Sequence, residues 1–403
     1  MIDERAVTTA KFWEALRSLR PASGLPDSEF EQFALIVLGM ACVARSHGPW
    51  PDELTVPVRK AFEDLTAGAA HRDEHRFSQA WADAFHALVS ALRTARRIDF
   101  PTAPGSLDAF GGIVTLLDNA QSAWSTGQEF LLDCFDEVFH RLVGRIAGIG
   151  YREGDPAAAL AAHLSAGVDH IAEYFAATGE FAVLRRSDLD LATSARIAVI
   201  DRMNALVGLR LYLHGIDVED RPPHEDDPAS IVARRFLLVD HPRRNTTGRL
   251  PHSPRWADHQ TSLDALDHFL QNQLAFDMCL IVVPGADRSA SGWRRAMREH
   301  LVRSNRLRAV IDLPPGGRSR KQVSAWLLVR WSRRSDDVLM VDAKGLAGRG
   351  ELREVGVLMA FVAAIVSLGA SEGWPSADVT GRGRSTSDDV QALLNAYFRD
   401  GYP

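Results

Sequence analysis

The sequence predicts an α/β protein in which an all-helical N-terminal segment precedes a doubly wound, mostly parallel sheet. Three observations lead to this fold class. Apolar residues recur with helical spacing through the first 147 residues, short apolar runs follow from residue 148 onwards, and these later runs alternate with segments of helix length. Strands that alternate with helices favour parallel pairing, because each helix carries the chain back across the sheet.

The composition is that of an ordinary globular chain of 403 residues, with 46% hydrophobic and 24% charged residues. No apolar run approaches the roughly 20 residues that a membrane helix needs, and the charged N-terminus has no signal-peptide core. We therefore expect a cytoplasmic protein with no membrane contact. The net charge of −6 gives no support to nucleic-acid binding through bulk charge. Only four of the 46 basic residues are lysine, and this bias towards arginine is also typical of a GC-rich genome.

The N-terminal segment is predicted to form six helices. The first places Phe12, Trp13, Leu16 and Leu19 on one face, and the second, which follows Pro26, is apolar nearly all round, as a buried core helix would be. The predicted helices span 11–20, 27–46, 57–67, 76–97, 107–122 and 127–147, with a loop at 98–106.

The remainder of the chain is predicted to form the sheet and a helical tail. The predicted strands span 182–190, 235–242, 277–285, 307–317, 324–332 and 337–344, the last two as an antiparallel hairpin at the sheet edge. The predicted helices span 192–215, 261–275, 292–305, 354–368 and 388–399, and Gly215 ends the first of them. These elements predict three domains, at 1–147, 148–350 and 351–403.

The cysteines and histidines give no pattern of a metal site or a disulfide framework. Cys42, Cys134 and Cys279 stand singly in apolar surroundings, where they are predicted to be buried as small hydrophobic residues. We expect no bound metal.

The order of these segments resembles the modification subunits of type I restriction systems, which are N6-adenine DNA methyltransferases that use S-adenosylmethionine (SAM). The similar segments are "FWEALRSLR", "DSEFEQFALIVLGMACVARS", "EFLLDCFDEVFHRLVGRIAG", "MNALVGLRLYLHGID", "LIVVPG", "LRAVIDLPPGG" and "SAWLLVRWSRRSDDVLMVDA". The resemblance implies a Rossmann-like SAM-methyltransferase fold behind a helical N-terminal domain. It also implies that SAM is the cofactor, if a cofactor is bound.

The chain departs from this family in the loops that bind SAM. The family begins its catalytic domain with an aromatic-Thr-Pro turn, whose nearest match, "YREGDPAAALAAHL", keeps Tyr151 but not Thr-Pro. The family's glycine-rich loop passes close under the methionine part of SAM, where a Cβ would block the approach. The corresponding region, "VDHIAEYFAATGEF", holds the single glycine Gly179 beside the bulky Tyr174 and Phe175. The resemblance makes Gly179 a cofactor contact in a degenerate loop.

The family also places an acid after its second strand, where it binds the ribose hydroxyls. The predicted strand 182–190 supplies Asp188 and Asp190 for this role. Asp190 is equally suited to cap the next helix, so both interpretations stay open.

The catalytic Asn-Pro-Pro-aromatic motif of the family corresponds to Asp240, His241, Pro242 and Arg243. In the family this motif implies that adenine is flipped out of the duplex, held through its amino group and stacked on the aromatic ring. Aspartate can accept the same hydrogen bond as asparagine. Arg243 removes the stacking ring, although a guanidinium plane can itself stack on a base.

Further residues are candidates for substrate or nucleic-acid contact around the same edge of the sheet. They are Arg244, Arg318, Arg320 and Lys321, which follow predicted strand ends, and Trp256, which lies in a predicted loop. The alternatives are a solvated arginine-rich surface and a tryptophan that packs beneath a long loop.

Three functions follow from these patterns. The first is a catalytically degenerate methyltransferase-like protein that binds nucleic acid or a protein partner. The second is an enzyme of altered chemistry that acts on a small molecule or peptide, and the third is an adenine methyltransferase with divergent motifs.

Overall fold

The computed structural model divides the chain into two compact units. The helical unit comprises Met1–Ile146 and Asn204–Asp217, and the sheet unit comprises Ala147–Met203 and Val218–Pro403. The structure describes residues 4–45, 52–96, 106–122, 127–144, 155–168, 170–174, 178–188, 196–200, 205–216, 235–239, 276–284, 292–314, 323–329, 338–347 and 354–372.

The helical unit contains the six helices predicted from the sequence and a further helix from a later part of the chain. They are α1 (Glu4–Ser23), α2 (Asp27–Arg45), α3 (Asp52–Ala70), α4 (Glu74–Arg96), α5 (Leu107–Ser122) and α6 (Gly127–Phe139), with a π-helical turn at His140–Gly144. The core of α2 is buried from Ala34 to Val43, as its apolar sequence predicts, and Phe12, Trp13 and Leu16 of α1 are also buried.

An ion-paired cluster joins α6 to the later helix of this unit, α9 (Ala205–Leu213). The Asp136 carboxylate of α6 accepts hydrogen bonds from Arg210 Nε at 2.9 Å and Arg210 Nη2 at 3.3 Å. His214 Nε2 lies 3.0 Å from Asp136 Oδ2. Because the Arg210 side chain is only 1% exposed, the carboxylate compensates a cation that water hardly reaches.

The sheet unit is built on seven described strands in the order β2-β1-β3-β4-β6-β5-β7. They are β1 (His170–Tyr174), β2 (Arg196–Ile200), β3 (Arg235–Val239), β4 (Met278–Pro284), β5 (Leu307–Asp312), β6 (Val323–Val329) and β7 (Leu339–Asp342). β1 to β4 are parallel to one another, β6 is antiparallel to both of its neighbours, and β5 pairs with β7 in parallel.

Apolar side chains cover both faces of this sheet, as the continuous apolar runs of the strands predict. On β3, Phe236 and Leu238 belong to one core and Leu237 and Val239 to the other, because successive side chains point to opposite faces. The first core includes residues of α7 (Pro156–Leu164), α8 (Glu180–Asp188), α11 (Ala343–Ala347) and α12 (Val355–Glu372). The second core includes Leu301 and Met297 of α10 (Trp293–Arg303).

Two of the predicted elements are wrong. The predicted strand 182–190 is helical as far as Asp188, and its buried residues Ala182, Val183 and Arg185 do not alternate as they would along a half-buried strand. The predicted helix 192–215 divides into β2 and α9. Its apolar run Arg196–Ile200 is too short to distinguish strand from helix by periodicity, and pairing with β1 decides the outcome.

The predicted hairpin of the last two strands is also wrong. β6 lies between β4 and β5, whereas β7 pairs with the other side of β5. The prediction assumed that neighbours in sequence pair in space, but β6 is the antiparallel strand that fills the position between two parallel ones. The prediction also missed α7 and β1, and the predicted helices at 261–275 and 388–399 lie outside the described residues.

The three cysteines are buried, as predicted. Burial raises the pKa of the Cys42, Cys134 and Cys279 thiols well above its usual range. None of the helices that the structure describes has both the length and the apolar character needed to cross a membrane.

Candidate functional site

The carboxyl ends of three neighbouring strands form a row in the sheet unit. Tyr174, the last residue of β1, pairs with Ile200 at the end of β2 on one side and with Val239 at the end of β3 on the other. The next residues in the chain are Phe175, Asp201 and Asp240. The segments that the resemblance associates with the cofactor and the base therefore start from adjacent positions of one sheet edge.

This edge is also where the order of the strands reverses. After β1 the chain adds β2 on one side and then crosses to add β3 on the other side. In open parallel sheets, ligands bind outside the carboxyl ends of the strands at such a reversal, because the two connections leave on opposite faces and open a crevice. The topology thus identifies the ends of β1 and β3 as the candidate site.

The connection from β1 to α8 is fixed at both ends. Glu173 is buried, and its Oε2 accepts a hydrogen bond from the Ala182 backbone N–H in the first turn of α8, at 3.3 Å. Gly179 has a φ of +71° and its carbonyl accepts the first helical bond, from Val183 N–H at 3.1 Å. A left-handed φ favours glycine, so this backbone conformation explains why the loop retains a glycine at that position. The Glu173 carboxylate satisfies one of the N–H groups that every helix start leaves open.

A second carboxylate caps the neighbouring helix α7. Asp155 Oδ1 accepts hydrogen bonds from the backbone N–H groups of Ala157 at 2.9 Å and Ala158 at 3.3 Å, and Pro156 follows as the first helical residue. Burial raises the pKa of Asp155, these two N–H donors oppose the rise, and the nearby Glu180 carboxylate adds to it. Asp155-Pro156 therefore gives α7 a capped start in the segment where the sequence has no Thr-Pro turn.

These contacts give the candidate site a negative character. Glu173 and Glu180 lie at the start of α8, where a helix would otherwise attract an anion through its N–H groups and its dipole. Carboxylates at this position disfavour a ligand phosphate, and they suit a neutral or cationic group instead. The geometry thus argues against a dinucleotide bound through its phosphates.

The structure describes only two of the residues that the sequence analysis selected for this site. Gly179 lies at the start of α8, and Asp188 is the last residue of α8, so the strand-end argument for a ribose-binding acid at Asp188 is wrong. The remaining selected residues, Asp190, Asp240, His241, Pro242, Arg243, Arg244, Trp256, Arg318, Arg320 and Lys321, lie outside the described residues.

Neither Glu173 nor Asp201 was selected by the sequence analysis. Once β2 is identified at Arg196–Ile200, the acid that follows the second strand is Asp201, not Asp188 or Asp190. The signal was present as the run "RIAVID", a short β-branched segment that ends in an acid. Glu173 had no local signal, because its role depends on the distance between a strand end and a helix start.

Solved structures of other proteins match the fold of this chain. No protein-family model and no curated protein matches the chain. The methyltransferase subunit of a type I restriction-modification system from Streptococcus thermophilus matches with a TM-score of 0.56 and 13% identity, over 91% of this chain and 94% of that chain. A modification subunit assigned to a type I restriction enzyme of Vibrio vulnificus YJ016 matches with a TM-score of 0.47 and 11% identity, over 80% and 81% of the two chains. Sequence identity this low shows similarity of fold alone. In its fold, the chain is similar to the methyltransferase subunits of type I restriction-modification systems.

Proposed function

We propose that the chain is a methyltransferase-like protein of the cytoplasm that no longer methylates adenine and acts as a binding or scaffold protein for nucleic acid or a protein partner. The observation that carries this proposal is a contrast at one edge of the sheet. β1, β2 and β3 end in a row at the switch point of the sheet, yet the sequence after β3 reads Asp240-His241-Pro242-Arg243 in place of Asn-Pro-Pro-aromatic.

The exchanged residues remove the features that an adenine site needs. His241 replaces a proline whose fixed φ shapes the backbone beside the base, and Arg243 replaces the ring on which the base would stack. Asp240 alone keeps a hydrogen-bond acceptor for an amino group. These exchanges support loss of the family's reaction.

The connection after β1 does not fit the glycine-rich cradle that SAM needs in this family. Residues 174–178, from Tyr174 to Thr178, all carry a Cβ, where the family brings bare backbone against the ligand. At the two ends of this loop, Glu173 accepts a hydrogen bond from Ala182 N–H and Gly179 has a left-handed φ. Were SAM bound, the acid that follows the second strand and would hold its ribose is Asp201, in place of Asp188 or Asp190.

Calorimetric titration of the full chain with SAM tests this proposal. We expect no heat of binding at micromolar SAM, because residues 174–178 all carry a Cβ where the family's loop is rich in glycine. Dissociation constants in the micromolar range would contradict a degenerate cofactor site.

A second candidate function is an enzyme that uses SAM or other chemistry on a small molecule or peptide. The carboxylates of Glu173 and Glu180 at the start of α8 favour it, because they would suit the cationic groups of SAM or of an amine substrate. With an identified substrate, Asp240→Ala and Arg243→Ala should each reduce turnover. Unchanged turnover in both variants would exclude this site.

A third candidate is an adenine methyltransferase in which Arg243 stacks on the base. Arg244, Trp256, Arg318, Arg320 and Lys321 would then contact the nucleic acid. We expect host DNA to carry no N6-methyladenine that depends on this gene, and mass spectrometry of DNA from strains with and without the gene measures it. A mark that disappears with the gene would contradict the degenerate site.

A further inference from the structure

Helix α10 carries a concentrated positive charge within a chain whose net charge is −6. Its 11 residues, "WRRAMREHLVR", include four arginines and one glutamate, a formal charge of +3. The helix packs on the sheet through Leu301, which is fully buried, and Met297, so its opposite side faces solvent.

The exposed side of α10 is a row of alternating charges. Arg295, Glu299 and Arg303 follow one another at intervals of four residues, which places them on one helix face over about 12 Å. Their side chains are 70%, 41% and 80% exposed. Glu299 Oε1 accepts a hydrogen bond from Arg295 Nε at 2.8 Å, and Glu299 Oε2 lies 3.5 Å from Arg303 Nη2.

One carboxylate therefore serves two guanidinium groups, and it compensates only one of the two charges. The hydrogen bond from Arg295 and the charges of Arg303 and Arg298 hold the pKa of Glu299 below its usual value, so this carboxylate stays ionised at neutral pH. The row therefore keeps an excess of one positive charge. Exposed ion pairs of this kind hold weakly, so an incoming anion can displace Glu299 from either arginine.

We propose that the row Arg295–Glu299–Arg303 is a contact surface for the phosphodiester backbone of nucleic acid, and that Glu299 is an internal counter-ion that weakens this contact. Guanidinium groups form forked hydrogen bonds with phosphate oxygens, which makes arginine suited to this ligand. The row extends over about 12 Å, which corresponds to roughly three to four nucleotide steps of one strand. A linear polyanion can thus meet successive arginines along the helix.

This surface is separate from the candidate site at the strand ends. α10 packs on the sheet face opposite the one that holds α7 and α8. The contact surface on α10 includes none of the residues proposed to bind cofactor or base. The proposed contact with nucleic acid is therefore independent of whether the chain binds SAM. It would add a contact that does not depend on base sequence.

Fluorescence anisotropy with labelled single-stranded and duplex oligonucleotides of about 20 nucleotides, measured from about 50 to 200 mM salt, tests the proposal. We expect Arg295→Glu/Arg303→Glu to weaken binding by about tenfold or more and to lower the salt slope of log K by about 2, because two phosphate contacts are lost. Glu299→Gln should do the opposite and tighten binding, by about threefold, since it releases both guanidinium groups.

An exposed ion pair on α1 provides the matched control. Arg17 Nη1 lies 3.8 Å from Glu14 Oε2, with side chains 57% and 69% exposed, and Arg17→Glu and Glu14→Gln should leave the affinity unchanged. Arg17→Glu changes the net charge by −2 and the α10 double variant changes it by −4, so losses in proportion to these changes would show an effect of net charge and overturn the assignment. Absence of binding by the unmodified chain would also overturn the assignment. Competition by polyglutamate as effective as that by the oligonucleotide would overturn it too, because it would indicate an acidic protein partner.

Discussion

The Asp136 carboxylate shows how one side chain fixes a distant segment in the helical unit. It lies between Arg210 and His214, and Arg210 also lies over the Phe139 ring, at 5.2 Å from its centre. Burial raises the pKa of Asp136, but the charges of Arg210 and His214 outweigh this effect and hold the pKa well below its usual value. The carboxylate is therefore a fixed negative charge for a buried arginine.

Asp136→Asn should lower the free energy of unfolding by about 3 kcal/mol, because removal of one partner leaves Arg210 buried without its counter-charge. Urea denaturation followed by circular dichroism measures the change. Asp118→Asn is the control, since Asp118 pairs with Arg45 at 2.8 Å but is 59% exposed, and its loss should cost less than about 1 kcal/mol. Equal losses in the two variants would contradict the role of the buried pair.

The pair of Asp136 and Arg210 also predicts how the free energy of unfolding depends on pH. A carboxyl with a depressed pKa in the folded state stabilises the fold above its unfolded pKa, near 4, and loses this contribution as the pH falls towards the folded value. As the pH falls from about 5 to about 2, the free energy of unfolding should therefore decrease more steeply in the unmodified chain than in Asp136→Asn. Parallel pH profiles for the two proteins would contradict this assignment.

At the scale of elements, close packing of α2 against α9 depends on one glycine. A Cβ at Gly39 would lie 3.0 Å from Leu209 Cδ2 and 3.4 Å from Leu209 Cδ1, and Leu209 is fully buried. Glycine in a helix interior normally costs stability, so this residue is explained by the approach of its neighbour.

A double-mutant cycle tests that contact. Leu209→Ala should cost about 2–5 kcal/mol through loss of buried apolar surface. Gly39→Ala should destabilise the unmodified chain through the close contact. In the Leu209→Ala background it should instead stabilise by up to about 1 kcal/mol, because the space is free and alanine favours helix. Additive effects measured by urea denaturation would show that the two residues do not contact.

The end of α9 gives a second test at this scale. Gly215 has a φ of +65°, Gly215 N–H donates to Tyr212 O and Ile216 N–H donates to Leu211 O, both at 2.9 Å, as expected for a helix closed by a left-handed residue. Gly215→Ala should lower the free energy of unfolding by about 1 kcal/mol.

The control is Gly111→Ala in α5, where a Cβ meets open space. This variant should raise the free energy of unfolding by about 0.5–1 kcal/mol. Thermal unfolding of both variants measures the contrast, and a shift of the same sign would contradict it.

At the scale of the whole molecule, the helical unit is discontinuous in sequence. Residues 204–217 belong to it, although β2 and β3 of the sheet unit precede and follow them in the chain. The boundary predicted at residue 147 therefore separates α9 from the helices that it contacts.

A fragment of residues 1–147 should accordingly fold poorly by itself, since it lacks the buried residues Leu209, Arg210 and Tyr212 of α9. A second fragment, with residues 204–217 joined to its C-terminus through a flexible linker, should regain a cooperative urea transition. The same second fragment with Arg210→Ala is the control and should regain less. A cooperative transition in residues 1–147 alone would show that α9 is dispensable.

The sequence by itself determined the elements whose pattern is long or strongly apolar. The helices α1 to α6, the buried strand β3, the helix end at Gly215 and the buried cysteines all follow from local periodicity, turn chemistry and hydrophobicity. The interpretation of residues 240–243 as an exchanged motif is likewise a prediction from the sequence alone.

Only the tertiary structure decided the short elements and the residues that meet across them. Arg196–Ile200 became a strand because it pairs with β1, and β6 entered the sheet between β4 and β5 instead of pairing with β7. Glu173 gained its role from the start of α8, and Asp136 gained its role from Arg210. Local sequence sets the conformational preference of a long segment, whereas a five-residue run or a single carboxylate takes its state from partners that lie far away in the chain.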